Sequence, residues 1–358
     1  MNHVQEQPAL RSVLSAMPPY RPGRRASSAR TASLAANESH FEPLPSVQEA
    51  IRRAASAANR YPDAACTQLR HAIAEHLSAE LPATEYHAVT PDQIAVSPGS
   101  VGAIQQLMAT FCDAGDEVVF AWRSFEAYPL LTRLAGAQPV PVPLTPELGH
   151  DLDAMLKAIT ERTRIVLLCV PNNPTGTGLD PTALAAFLDQ VPPTVLVVLD
   201  EAYAEYTSPV GLLNRRANVC VLRTFSKAYG LAGLRVGYAV TSEMLADGLR
   251  QTALPFGVSS IAQEAAIASL SAREELRERV EAIVRERNRM LAAVRELGWW
   301  VPDSQANFLW LPGSVHLLEA FGEADILVRP FADEGLRITL ADRATNDRVL
   351  DVLAGPRC

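Results

Sequence analysis

Short apolar runs alternate with Ala- and Leu-rich stretches of mixed polarity through the middle of the chain. Residues 93–96, 117–120, 138–142, 164–169, 195–199, 219–223 and 237–240 are rich in β-branched and aliphatic side chains. Several lack the alternation of a half-solvated strand, as expected for strands buried on both faces. Between them, 101–112, 125–135 and Pro181–Gln190 read as helices. Asp180 stands where an N-cap belongs and Pro181 suits the first helical position. This alternation predicts an α/β fold: a large domain with a mostly parallel seven-stranded sheet flanked by helices. Such sheets bind ligands beyond the carboxyl ends of their strands.

From about Ser259 the pattern changes. Residues 261–270 and 273–295 read as long helices, the second with Glu275/Arg279 and Glu281/Arg285 at i,i+4 spacing. Short strands at 308–311, 326–329 and 336–340 follow, in an α+β arrangement. The organisation expected is an extended N-terminal arm (1–40), a large domain (41–250) and a smaller α+β C-terminal domain (251–358). The Pro-rich segment from Pro8 to Pro45 is expected to pack across both domains.

Composition narrows the function classes. The 358 residues are 48% hydrophobic and 20% charged, which permits a sizeable core, and the formal net charge is −8. An acidic chain lacks the Lys and Arg excess from which nucleic-acid and anionic-membrane affinity arises. The one basic cluster, Arg21, Arg24, Arg25 and Arg30, lies among Ser, Pro and Gly and reads as a solvated arm. Five cysteines without a CxxC pair argue against a disulfide scaffold or zinc ribbon, and no secretory signal or membrane-length apolar run is visible. A cytoplasmic enzyme or binding protein is expected. Dinucleotide, P-loop, zinc-protease and serine-hydrolase motifs are absent, and no metal site is expected.

Chemistry-bearing residues collect just after the expected strands. Gly99-Ser100 follows the first, Pro171-Asn172-Asn173-Pro174-Thr175-Gly176 the fourth, Asp200-Glu201-Ala202-Tyr203 the fifth and Thr224-Phe225-Ser226-Lys227 the sixth, with Arg235 eight residues past Lys227. Singly, these segments are a turn, a helix cap or a solvated lysine. Jointly, the order Asn-Pro-x-Gly, Asp-x-x-Tyr and Ser-Lys with a downstream Arg resembles fold-type I pyridoxal-phosphate aminotransferases. Within them the chain resembles the histidinol-phosphate aminotransferase branch, and more closely its actinobacterial aromatic amino-acid (phenylalanine) aminotransferases. The matching stretches include Leu34-Ala35-Ala36-Asn37-Glu38, Asn59-Arg60-Tyr61-Pro62-Asp63, Trp122-Arg123-Ser124-Phe125-Glu126, 222–235 and Ser304-Gln305-Ala306-Asn307-Phe308.

The resemblance implies a pyridoxal 5'-phosphate cofactor acting as an electron sink. Lys227 would form the Schiff base and shuttle the substrate proton, which requires an amine of lowered pKa. Asp200 would pair with the pyridinium nitrogen, and Asn173 and Tyr203 with the ring oxygen. Phe125 either stacks on the ring or is a core aromatic. Ser100, Thr224, Ser226 and Arg235 would hold the phosphate. Tyr61 would reach the phosphate of a neighbouring subunit in a homodimer. Arg337 would clamp the substrate carboxylate, with Asn37, Glu38, Tyr20 and Asn307 shaping the substrate pocket. Arg329 either binds a substrate phosphate or ends a strand.

The histidinol-phosphate enzymes usually continue the early Asn-Glu with Asn-Pro and an aromatic-Gly, whereas this chain reads Asn37-Glu38-Ser39-His40-Phe41. The reading is therefore ping-pong transamination of an aromatic amino acid with 2-oxoglutarate. Histidinol-phosphate transamination and decarboxylation of a phosphorylated amino acid are the alternatives. A ligand-sensing regulator would need an appended DNA-binding module, which the N-terminal stretch cannot supply.

Overall fold

The computed structural model describes residues 8–15, 30–80, 88–207 and 216–355. Its strands in chain order are β1 (Ala32–Ser33), β2 (Ile94–Ser97), β3 (Glu117–Trp122), β4 (Gln138–Pro143), β5 (Thr163–Cys169), β6 (Leu196–Asp200), β7 (Val219–Thr224), β8 (Gly237–Val240), β9 (Phe308–Pro312), β10 (Ile326–Leu327), β11 (Arg329–Phe331) and β12 (Gly335–Thr339). Seven of them form one sheet in the order β2-β8-β7-β6-β5-β3-β4. Only β8 runs against its neighbours, so the sheet is mostly parallel, as expected.

The apolar strands occupy its centre because helices cover both faces. Every residue of β6 and β7 is buried. Side chains alternate between two apolar clusters: Val166, Leu168, Val197 and Leu199 on one face, Ile165, Leu167, Leu196 and Val198 on the other. β4 alternates proline with Gln and Val, and proline cannot donate to a ladder. It therefore sits at the edge, paired with β3 alone. Asp180 caps the helix Pro181–Gln190 by accepting from the Ala183 N–H at 2.9 Å.

The C-terminal helices span Ser260–Ser271 and Arg273–Glu296. The first packs on Pro45–Ala55 against the large sheet. Along the second the core changes: Leu276 and Ile283 belong to the cluster on the large sheet, whereas Met290, Leu291 and Val294 join a third. That third cluster lies against an antiparallel sheet ordered β11-β12-β9. The expected 326–329 strand is split, because β10 pairs in parallel with β1 while β11 turns to β12. Of the two expected i,i+4 pairs, Glu281 and Arg285 approach at 3.7 Å. Arg279 instead donates to the Glu42 carbonyl and lies over the Phe41 ring. Among the described residues no helix is long and apolar enough to cross a membrane, and no cluster of His, Cys, Asp and Glu could hold a metal ion.

Candidate active site

A cavity of about 750 Å³ opens beyond the carboxyl ends of β2, β5, β6 and β7 and is closed on its far side by β11 and β12. The sheet register decides what lies in its floor. Cys169 and Asp200 end adjacent strands side by side. Asp200 is buried and its Oδ2 accepts from the Tyr128 hydroxyl at 2.8 Å. Its Oδ1 is buried with no hydrogen-bond partner. Burial pushes the Asp200 carboxyl up to about 6, against the opposing pull of the Tyr128 hydroxyl and the Ala202 N–H. An unpartnered buried carboxylate oxygen is costly unless something in the cavity donates to it.

Lys227 follows β7 and extends into the same cavity, its Nζ donating to the Ala36 carbonyl at 3.0 Å. Part of the side chain faces the cavity, yet the ammonium is withdrawn from bulk water. That loss of hydration is the main reason its pKa falls to about 7, aided by Arg337 and Arg235 and opposed by Glu38 and Asp200. Tyr203, buried in the adjoining wall, accepts from Asn37 Nδ2 at 2.8 Å. Burial lifts its phenol above the ordinary range.

One end of the cavity is a cradle of donors. Ser100 lies in the first turn of the helix Gly99–Phe111, where free N–H groups and the helix dipole favour an anion. Thr224 Oγ1 donates to Ser226 Oγ at 3.0 Å, and Arg235 Nη1 donates to the same Ser226 oxygen at 3.0 Å. Gly99 has φ +75°, and a Cβ there would stand 2.3 Å from Arg235 Nη2. The glycine is what lets the guanidinium lie against the turn.

The opposite wall holds Arg337 on β12. Its Nη1 donates to Asn173 Oδ1 at 2.5 Å and its Nη2 to the Ala35 carbonyl at 2.7 Å, which fixes the fork toward the cavity. Asn37, with φ +54°, ties three segments together: its N–H donates to Thr339 Oγ1, and its carbonyl accepts from Asn307 Nδ2 at 3.3 Å.

Ser100, Phe125, Asn173, Asp200, Tyr203, Thr224, Ser226, Lys227, Arg235, Arg337, Asn37 and Glu38 thus line one cavity. Phe125 is half-buried and meets Tyr128 edge-on at 5.6 Å. Asn307 does not reach the cavity; it stands behind Asn37 and acts on it. Tyr61 lies outside this chain's cavity, 82% exposed and stacked on Phe256 at 4.6 Å. Tyr20 lies outside the described residues. Arg329 does end up at the cavity, on β11. Sequence reasoning missed Tyr128, Glu126 and Phe331. The available signal for Tyr128 was its position one helical turn after Phe125.

These groups suit pyridoxal phosphate: a donor cradle for a phosphate, an amine of lowered pKa for its aldehyde, and an orphaned carboxylate oxygen for a protonated ring nitrogen. Residues 30–353 match the family model for aminotransferase class I and II. The aromatic amino acid aminotransferase of Streptomyces avermitilis is 48% identical, with 97% of each chain covered. The protein of that name from Thermobifida fusca is 50% identical with the same coverage. Among solved structures, histidinol-phosphate aminotransferase from Sinorhizobium meliloti in complex with pyridoxal-5'-phosphate superposes with a TM-score of 0.87 at 29% identity, covering 98% of each chain. The chain belongs to the class I and II aminotransferases, enzymes that depend on pyridoxal 5'-phosphate.

Proposed function

We propose that this enzyme moves the amino group of an aromatic amino acid to 2-oxoglutarate in a ping-pong cycle. The observation that carries the reading is the convergence of Lys227, Asp200 and Arg337 on one cavity, in a chain about half identical to aromatic amino acid aminotransferases over almost its whole length. When bound, the cofactor supplies an electron sink for the carbanion left as the substrate loses its Cα proton. Lys227 would hold the cofactor covalently between turnovers. Its amine would also take up and return that proton, a task suited to an amine titrating near neutrality. Asp200 would keep the ring nitrogen protonated through its orphaned Oδ1, and Asn173 and Tyr203 would hydrogen-bond the ring oxygen. Phe125 would pack on the ring. Ser100, Thr224, Ser226 and Arg235 would hold the phosphate. Arg337 orients the α-carboxylate common to donor and acceptor, and Asn37 braces the wall beside it.

The larger part of the chain serves the cofactor and the smaller part, with the arm, serves the substrate. The change of core inside the helix Arg273–Glu296 supports a division into two parts at that helix, C-terminal to the expected boundary at 250, because the helix Ser260–Ser271 still belongs to the large-sheet cluster. The exposed Tyr61–Phe256 stack supports a homodimer in which Tyr61 serves the neighbouring site. The unbridged Cys66, Cys112, Cys169 and Cys220 suit the reducing cytoplasm. The test is a half-reaction panel that follows cofactor absorbance with phenylalanine, tyrosine, histidinol phosphate and glutamate. Rapid conversion by the aromatic donors and glutamate is expected. A marked preference for histidinol phosphate refutes the substrate assignment, and release of CO₂ refutes the reaction class.

A further inference from the structure

Two arginines face this cavity from neighbouring strands. Arg329 on β11 and Arg337 on β12 are direct ladder partners, so their side chains emerge on the same face. Like charges opposite one another in a sheet repel unless a counter-charge is supplied. Arg337 donates to the Asn173 amide oxygen and to the Ala35 carbonyl, which aim its fork into the cavity. Arg329 is different. Its Nη2 donates to Glu126 Oε2 at 2.8 Å, and both members of this ion pair line the cavity.

Glu126 stands at the start of a helix without a side-chain hydrogen bond to that helix's own N–H groups. It precedes the helix Ala127–Ala135 as its N-cap residue, where the helix dipole favours a carboxylate. It also follows Phe125 directly, so its position is tied to the aromatic side chain at the cofactor end of the cavity. Apolar groups line the cavity nearby: the Phe331 ring is 5.8 Å from the Arg329 guanidinium and 5.5 Å from that of Arg337, and Ala127 and Leu130 follow Glu126. Glu126 thus sets a negative charge against the Arg329 guanidinium on the outer wall.

We propose that Glu126 is a specificity-determining residue: by pairing with Arg329 it withholds the outer guanidinium from substrates whose side chain ends in a dianion, such as a phosphate monoester, and leaves a neutral, apolar wall for an aromatic ring. This rests on the aminotransferase reading of the cavity and deepens it. A dianion entering the wild-type site meets the Glu126 carboxylate as well as Arg329, and specificity gained by such a like-charge contact is repulsive in origin. Replacing Glu126 with Gln keeps the side-chain shape and a hydrogen-bond acceptor while removing one negative charge from beside Arg329.

The experiment measures kcat/KM of the holoenzyme for histidinol phosphate and for phenylalanine. In Glu126→Gln the ratio of the two is expected to rise about tenfold or more in favour of the phosphate ester, mainly through a lower KM. In Glu126→Gln combined with Arg329→Gln the gain should vanish, because the cation that captures the phosphate is gone. Glu126→Asp keeps the charge on a shorter stem and should give an intermediate ratio; it decides the matter if the Gln variant does not fold. A ratio unchanged in whichever of these single variants folds overturns the proposal, as does a gain that persists without Arg329. Wild-type turnover of phenylalanine is read separately, so failure of the reaction assignment is not confused with failure of Glu126 as selector.

Discussion

Removing one hydroxyl, in Tyr128→Phe, tests the electrostatics of the cavity floor. Tyr128 is fully buried and packs on Phe120 and Phe125 at ring distances of 5.9 and 5.6 Å, so phenylalanine keeps the packing and deletes only the oxygen. The deleted group donates to Asp200 Oδ2 at 2.8 Å. A hydrogen bond to a charged acceptor contributes on the order of 1.5–3 kcal/mol. At about 1.4 kcal/mol per pKa unit, its loss should raise the Asp200 carboxyl by about one to two units. In the wild type that carboxyl is already pushed up to about 6 by burial. The assay is a carboxyl-carbon NMR titration of Asp200 in the cofactor-free protein, with the acid limb of the holoenzyme pH–rate profile as a second readout. Both should move to higher pH. The shift also has a stability consequence: between the ordinary value of 3.8 and about 6, folded Asp200 retains a proton that the unfolded chain has lost. Cofactor-free protein therefore loses stability as pH rises through that window, and the variant extends the loss to higher pH. A folded Tyr128→Phe protein whose Asp200 titrates where the wild type does would refute the reasoning.

Other perturbations probe the remaining walls. Lys227→Ala should lose the visible absorbance of lysine-bound cofactor and all turnover, which a spectrum taken after reconstitution checks. For cofactor-free protein, the unfolded state holds more protons than the folded one between about 7 and 10.5, because the Lys227 amine is depressed. Melting temperatures of wild type should therefore gain on those of Lys227→Met as pH rises across that range, and parallel profiles would count against a depressed amine. Gly99→Ala forces a Cβ onto Arg235 at φ +75° and should weaken cofactor binding about tenfold or more by equilibrium titration. Gly115→Ala, at φ +92° with open space around it, should cost stability but leave cofactor affinity alone. Arg337→Ala should raise KM for every amino donor; an effect confined to one donor would make Arg337 a side-chain selector.

Much of the sheet was legible because its strands obey a one-dimensional rule. The continuous apolar run at 164–169 could be buried on both faces only inside a parallel sheet, and it became β5. Motifs at strand ends were legible for the same reason: strand register carries Cys169, Asp200 and Thr224 to one edge, so position in sequence becomes position in the cavity. What escaped depends on contacts with no local period. The two-residue strand Ala32–Ser33 exists because Ile326–Leu327 offers it a ladder, and neither stretch announces the other. The Glu275/Arg279 spacing was sound, but the Glu42 carbonyl and the Phe41 ring captured the guanidinium. Asn307 lies in the stretch that resembles the family motif, but its side chain serves Asn37 from behind the wall. Glu126 lies in a stretch that resembles the family, but its role became legible only when β11 brought Arg329 to it.

The far wall of the cavity has a consequence for biosynthesis. Ala32 pairs with Ile326, and the Leu34 carbonyl accepts from the Thr339 N–H at 2.9 Å, so the first described strand finds its partners near the end of the chain. Closing a loop of 294 residues costs about 3 kcal/mol more than closing one of about ten. On a ribosome adding roughly 5–20 residues per second, the large sheet can assemble well before Arg337 has emerged. A nascent chain would thus own a cofactor cradle and a reactive lysine before it owns the arginine that selects a substrate. Docking of the arm onto β10 and β12 is then the event that turns a cofactor-binding fold into an enzyme.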